Sequence, residues 1–178
     1  MPLTDECVDL AISNLAMQWT DPEHVAREVV RMLRPEGLFM FTTFGPDTLK
    51  ELRQAFASID SYSHVNRFVD MHDIGDLLLN NRFSTPVMDM EYITLTYDDV
   101  ISVMHDLKAI GAHNVTQTRR RGLMGKKHWQ QVIDTYETLR RDGKLPATFE
   151  VVYGHAWKPH DPRSILTPET RRQLGLPP

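Results

Sequence analysis

Asp9-Leu10-Ala11-Ile12-Ser13-Asn14-Leu15-Ala16-Met17-Gln18-Trp19 is the stretch whose reading decides the fold. Val8 to Ser13 is a short apolar run, the pattern of a strand buried on both faces of a mainly parallel sheet. Beyond the carboxyl end of such a strand a crevice opens, and ligands bind there. Asn14, at the strand end, heads the candidate contacts, with Gln18 and Trp19 behind it. The stretch lies almost at the beginning of the sequence, so the strands expected to flank it on one side have no residues here to form them.

Outward from that strand the chain alternates between the two periods. Asp21-Pro22-Glu23 provides an N-cap, a proline at the first helical position and an early acid. Val25, Val29, Met32 and Leu33 follow at helical spacing, and Pro35-Glu36-Gly37 stops the helix. Leu38 to Thr43 is the next buried strand, so strand, helix and strand form a right-handed βαβ unit. Further helices are expected with faces Leu49-Leu52-Phe56, Ile74-Leu77-Leu78 (capped by Asp70), Val100-Met104-Leu107 (capped by Asp98 and stopped by Gly111) and Trp129-Val132-Ile133-Tyr136-Leu139, the last ending near Gly143. Ser58 to Asn66 reads as an irregular loop or lid, and Val87 to Tyr97 and Phe149 to Trp157 as strands. Residues 159–178 are rich in proline and charge and are expected to form a loosely ordered tail.

Composition bounds the function. The 178 residues, 41% hydrophobic with a formal net charge of -4, fit one globular domain with a sizeable core. Cys7, the single cysteine, cannot form an internal disulfide, and no apolar run reaches the roughly 18 residues of a membrane span. The expectation is a soluble cytoplasmic protein that acts on neither nucleic acid nor membrane. The eight histidines and Cys7 give no zinc spacing, so no metal is expected.

Longer motifs add a resemblance. The stretch from Asp9 to Trp19, then Leu33-Arg34-Pro35-Glu36-Gly37-Leu38 and Gly45-Pro46-Asp47-Thr48-Leu49-Lys50-Glu51-Leu52, resembles the second half of a class I S-adenosylmethionine-dependent methyltransferase. His64 to Asp76, Leu95-Thr96-Tyr97, Asp106 to Asn114, Arg119-Arg120-Arg121-Gly122-Leu123 and Pro146 to Trp157 are similar to the BioC family of malonyl-acyl-carrier-protein O-methyltransferases, which serve biotin synthesis. The resemblance covers residues 1 to about 158. It implies an α/β fold, the C-terminal half of a Rossmann-like class I methyltransferase sheet, mixed and with its last strand antiparallel. Lid segments would be inserted at about 46–70 and 98–142. The family's glycine-rich turn and the acidic residue that takes the ribose hydroxyls have no counterpart here; the sequence contains no Gly-x-Gly.

The resemblance implies methyl transfer from S-adenosylmethionine to the free carboxylate of a malonyl group on acyl carrier protein. A carboxylate is already ionised at neutral pH, so no general base is needed and no residue is given a catalytic role. Alignment and exclusion of water carry the reaction. Asn14, Gln18 and Trp19 become candidate contacts for the methionine end of the cofactor. His64, Asn66, Arg67 and His72 lie where the family puts its lid, and Arg67 is favoured for holding the carboxylate. The bland alternative makes these loop residues, with a local ion pair from Arg67 or His72 to Asp70 or Asp73. His155 is retained as a lesser candidate, while Tyr97 and Tyr153 read as sheet residues. Arg119, Arg120, Arg121, Lys126 and Lys127 would dock the acidic carrier protein, or else form a solvated basic loop. Without the nucleotide motif, this chain alone is expected to bind cofactor weakly or not at all and to be inactive by itself. A non-catalytic module that binds an acidic carrier is the alternative. The open edge of strand 8–13 is expected to drive self-association.

Overall fold

The computed structural model describes residues 1–60, 62–109, 111, 122 and 124–160. In chain order the elements are β1 (Val8–Asn14), α1 (Pro22–Met32), β2 (Leu33–Phe44), α2 (Lys50–Ala57), α3 (Met71–Asn80), β3 (Ser84–Tyr97), α4 (Val100–Ala109), α5 (Lys126–Glu137) and β4 (Leu145–Trp157), with a single 3-10 turn at Met17–Trp19. The strands form a four-stranded sheet in the order β1-β2-β4-β3. β1 runs parallel to β2 and β4 runs antiparallel to β2, so the sheet is mixed and its last strand reversed, as the sequence implied. The chain divides into two compact units, one of Met1–Gly45, Val69–Glu91 and the described residues from Val151, the other of Pro46–Phe68 and Tyr92–Glu150.

The first unit holds β1, α1, β2, α3 and the pairing half of β4. Asp21 Oδ1 accepts the Glu23 N–H and Pro22 opens α1, as the local sequence dictates. Ala26, Val29 and Met32 then bury one stripe of the helix. Register sorts the strand residues onto two faces. Ala11, Phe39 and Ala156 form one row and Ser13, Phe41 and Gly154 the next, and this face packs with α1 and α3 in a core that includes Met32, Ile74, Leu78 and Phe83. Phe41 lies so close across β4 that a side chain at Gly154 would begin 2.2 Å from its ring, so glycine is required there.

The opposite face of the same sheet is open. Leu10 and Ile12 of β1 and Met40 of β2 are exposed, which corrects the expectation that Val8 to Ser13 is buried on both faces. The reason is positional: β1 is a terminal strand with one helical layer, so only alternate residues meet a core. The register also breaks between Val8 and Leu10, where Leu33 and Leu38 are the successive partners. Pro35-Glu36-Gly37 takes up the extra length, with Glu36 at φ 65 and its N–H donated to the Lys158 carbonyl.

The second unit has its own core of Leu52, Phe56, Val65, Val100, Val103, Val132, Tyr136 and Leu145 with their neighbours. Burial raises the Tyr136 phenol well above its ordinary range, with the Glu51 carboxylate as a second cause, and its hydroxyl donates to the Pro146 carbonyl at 2.8 Å. Two sequence expectations change here. Asp99, not Asp98, caps α4, accepting the Ser102 N–H at 2.8 Å, whereas Asp98 faces Lys144. α5 ends at Glu137, and the chain then turns through Asp142 and Gly143, both at positive φ, to bring Arg141 opposite Lys144. That Asp-Gly pair is the signal of a tight turn and accounts for the earlier stop.

Candidate functional site

The carboxyl ends of β1 and β2 lie side by side, with Asn14 opposite Thr42. The Thr42 hydroxyl donates to Asn14 Oδ1 at 2.6 Å and accepts the Leu15 N–H at 2.9 Å. Leu15 sits at φ 46, so the chain leaves the strand in a sharp left-handed step that this pair of bonds holds. Asn14 is exposed, and while its Oδ1 is bonded to Thr42 its amide nitrogen is a donor by chemistry.

Gln18 closes the same turn from the other side. Its Nε2 donates to the Leu15 carbonyl at 2.6 Å, and its Oε1 accepts from Thr43 at 3.4 Å. Both ends of the half-buried amide thus brace the strand-to-helix connection. Trp19 is exposed on the 3-10 turn.

From Asn14 a groove of about 610 Å³ runs over the open face of the first unit's sheet. Met40 and Val87 supply apolar walls, and Thr42, Asp89, Tyr153 and His155 supply polar groups. The Tyr153 hydroxyl donates to Glu91, and that carboxylate holds the phenol above its ordinary range. A second, mainly apolar groove of about 360 Å³ follows β1 and is lined by Leu3, Leu10, Ile12, Val25 and Val29 among others.

The lid candidates are distributed differently. In the second unit, His64 stacks on Phe56 with ring centroids 4.1 Å apart, and its Nε2 meets Asp60 Oδ1 at 2.7 Å. That imidazole is engaged in packing its own loop. Asn66 is half-buried, while Arg67 is exposed and makes no hydrogen bond or ion pair with the described residues. His72 belongs to the first unit, at the start of α3. Asp70 accepts both its N–H and a contact from its Nδ1 at 2.8 Å, and these bonds hold the Asp70 carboxyl below its ordinary range.

Lys126 and Lys127 are exposed in the first turn of α5, whose cap, Gly125, offers no side-chain acceptor. Arg119, Arg120 and Arg121 lie outside the described residues. Among the described residues no group of three or more His, Cys, Asp or Glu gathers as metal ligands would, and no helix is long and apolar enough to cross a membrane. The sequence reading missed Thr42 and Thr43. Their hydroxyls carry the strand-end network, but they are recognisable only once β2 is seen to lie beside β1.

A family described as a methyltransferase domain matches residues 1–41. A malonyl-[acyl-carrier protein] O-methyltransferase of Nitrosospira multiformis is 69% identical over 99% of this chain, which covers 58% of that protein. A protein of the same name from Gallionella capsiferriformans is 62% identical over 89% of this chain and 55% of its own length. The chain therefore spans a little over half the length of these curated relatives. Among solved structures, YcgJ of Bacillus subtilis superposes with a TM-score of 0.57 at 14% identity, covering 90% of this chain and 68% of that one. The protein BH2331 of Bacillus halodurans does so with 0.56 at 18% identity, covering 89% and 68%. These two likenesses show a shared α/β fold.

Proposed function

From a chain homologous along nearly its whole length to part of the malonyl-[acyl-carrier protein] O-methyltransferases, we propose that it carries the acceptor side of such an enzyme in biotin biosynthesis. The observation that supports this most is the 69% identity to the Nitrosospira multiformis protein. The reaction would join a methyl group to the free carboxylate of malonyl-acyl carrier protein. S-adenosylmethionine, when bound, supplies that methyl on a positively charged sulfur.

The residues present fit one end of that cofactor. The end of β1, with the Asn14 amide held by Thr42, offers hydrogen-bonding groups to its methionine portion, and Gln18 and Trp19 flank it. No Gly-x-Gly turn exists in this sequence to let a nucleotide approach the backbone. Arg67 holds the acceptor carboxylate through paired N–H donors, which matches the geometry of the anion. Asn66 and His64 belong with Arg67 in the second unit, His64 by shaping the loop it packs in, and His72 of the first unit is a separate candidate for the acceptor. Because the acceptor oxygen is already anionic, these groups orient it and exclude water, and none has to take a proton.

Lys126 and Lys127 stand where the helix dipole disfavours cations, so an anionic partner relieves their repulsion. With Arg119, Arg120 and Arg121 they form the docking face for the acidic carrier protein. The same feature favours the second reading, a module that binds the carrier without catalysis. Alone, the chain self-associates through residues 8–13, whose outer edge has no pairing strand among the described residues.

A chimera tests the enzyme reading. This chain replaces the matched part of the Nitrosospira protein, and transfer of labelled methyl to malonyl-acyl carrier protein is measured. Activity near that of the parent supports it; a folded, cofactor-binding chimera without activity sinks it. Salt-sensitive carrier binding that disappears when Arg119, Arg120 and Arg121 become glutamate, in a chimera with no methyl transfer, would select the binding module instead. Calorimetry on the chain alone is expected to give no micromolar affinity for S-adenosylmethionine.

A further inference from the structure

In the second unit, the residues after α2 carry a side-chain network of their own. Ile59 donates its N–H to the Phe56 carbonyl at 3.0 Å and the Ser58 hydroxyl donates to the Ala55 carbonyl at 2.8 Å, so the chain leaves the helix in a tight turn. Asp60 Oδ1 then accepts the Tyr62 N–H at 3.0 Å and meets His64 Nε2 at 2.7 Å. The His64 ring lies almost flat on the Phe56 ring, at an interplanar angle of 7°. His64 and Asp60 are only 12% and 16% exposed at their side chains. The Ser63 hydroxyl donates to the Val65 carbonyl at 2.9 Å, and Val65 enters the core that also holds Phe56. Phe68 packs against the same core, so the exposed Arg67 stands between two anchored positions.

Stacking alone leaves a ring free to turn in its own plane, whereas a directional bond at its edge fixes that turn. An ionised carboxylate only accepts, so the hydrogen between Asp60 and His64 sits on Nε2. A largely buried polar pair of this kind gains little stability over apolar side chains of the same shape, because both groups give up water. What it supplies is direction. One oxygen of Asp60 holds two points of the chain just before Arg67, and displacing a substrate-holding group by about 1 Å can cost about 100-fold in rate.

We propose that Asp60 is a positioning residue: through His64 on Phe56 it sets the backbone from which Arg67 reaches the acceptor carboxylate. It acts without touching the substrate. This rests on the role given to Arg67 above.

The full-length chain and the chimera are each prepared with Asp60→Ala, Asp60→Asn, His64→Phe and Arg67→Ala. In the chain, imidazole nitrogen NMR is expected to place the His64 hydrogen on Nε2 in the parent and in Asp60→Asn, whose amide oxygen still accepts both bonds. Asp60→Ala should mix the two neutral forms, and the backbone amide signals of residues 65–67 should move with it and return in Asp60→Asn. In the chimera, Asp60→Ala and His64→Phe should each raise KM for malonyl-acyl carrier protein by about tenfold or more, with kcat changed less than about twofold. Asp60→Asn should restore KM. The double variant of Asp60→Ala and His64→Phe should be no worse than either alone, as for groups that act through one another. His64→Phe keeps a flat ring over Phe56 and carries the test if Asp60→Ala does not fold. Amide signals of residues 65–67 that stay in place overturn the proposal, and this arm reads positioning whether or not the chimera turns over. An unchanged KM in Asp60→Ala and His64→Phe, with KM raised in Arg67→Ala, overturns the positioning alone. An unchanged KM in Arg67→Ala overturns the role of Arg67 itself and the proposal with it.

Discussion

At the scale of single residues, the strand end separates a structural from a ligand-contacting role for Asn14. Losing the 2.6 Å bond from Thr42 at an exposed position should cost about 0.5–1.5 kcal/mol in urea unfolding of Asn14→Ala. In the active chimera, a loss of cofactor affinity well beyond that figure would mark direct contact. Gly154→Ala drives a methyl into the Phe41 ring, 2.2 Å away, and should destabilise the first unit by about 1–3 kcal/mol. Glu28 gives a pH dependence. The Arg31 guanidinium first, and the Met1 amine second, hold its carboxyl at about 2 against an ordinary 4.5. Because the folded value is the lower one, this contribution is complete above about pH 4.5 and is lost as pH falls toward 2. Urea midpoints taken from neutral pH into that acid range should fall less steeply for Glu28→Gln than for the parent chain.

At the scale of elements, the caps show what local sequence can and cannot specify. Asp21 and Asp70 cap α1 and α3 as read, because an aspartate before an apolar-periodic run has its acceptor within reach of the second N–H and needs no distant partner. Asp98-Asp99 offered two such residues in succession, and the choice between them followed from Lys144 and Arg140, 42 or more positions away. Asp99→Ala should therefore cost about 0.5–2 kcal/mol, while Asp98→Ala, which loses an exposed ion pair, should stay within about 1 kcal/mol. Chemical denaturation of the two variants side by side checks this. β1 was legible as a strand from its apolar run. Its burial was not, because period and length say nothing of whether helices cover one face or two.

At the scale of the whole molecule, each unit closes its own apolar cluster, and the consequences of core damage follow that division. Phe83→Ala, which empties a fully buried ring site against Phe39, should cost about 3–5 kcal/mol and speed amide exchange in α1 and α3. Among the candidate site residues, Asn14 was legible because a polar residue ending a buried run is a local signal. Thr42 was not, since its role exists only when β2 lies beside β1. His64 reads in sequence as a ligand-type residue in a polar loop, yet its ring stacks on Phe56 and faces Asp60. By itself the sequence determined the order of strands and helices and the βαβ start, because turn residues, caps and periodicity act over a few neighbouring positions, while the reversed last strand was implied by the resemblance of its longer motifs to the methyltransferases. Only the tertiary structure decided that the sheet has one bare face, that Thr42 holds Asn14, and that Arg67 makes no hydrogen bond or ion pair with the described residues while His64 does, because those outcomes depend on side chains brought together from distant parts of the chain.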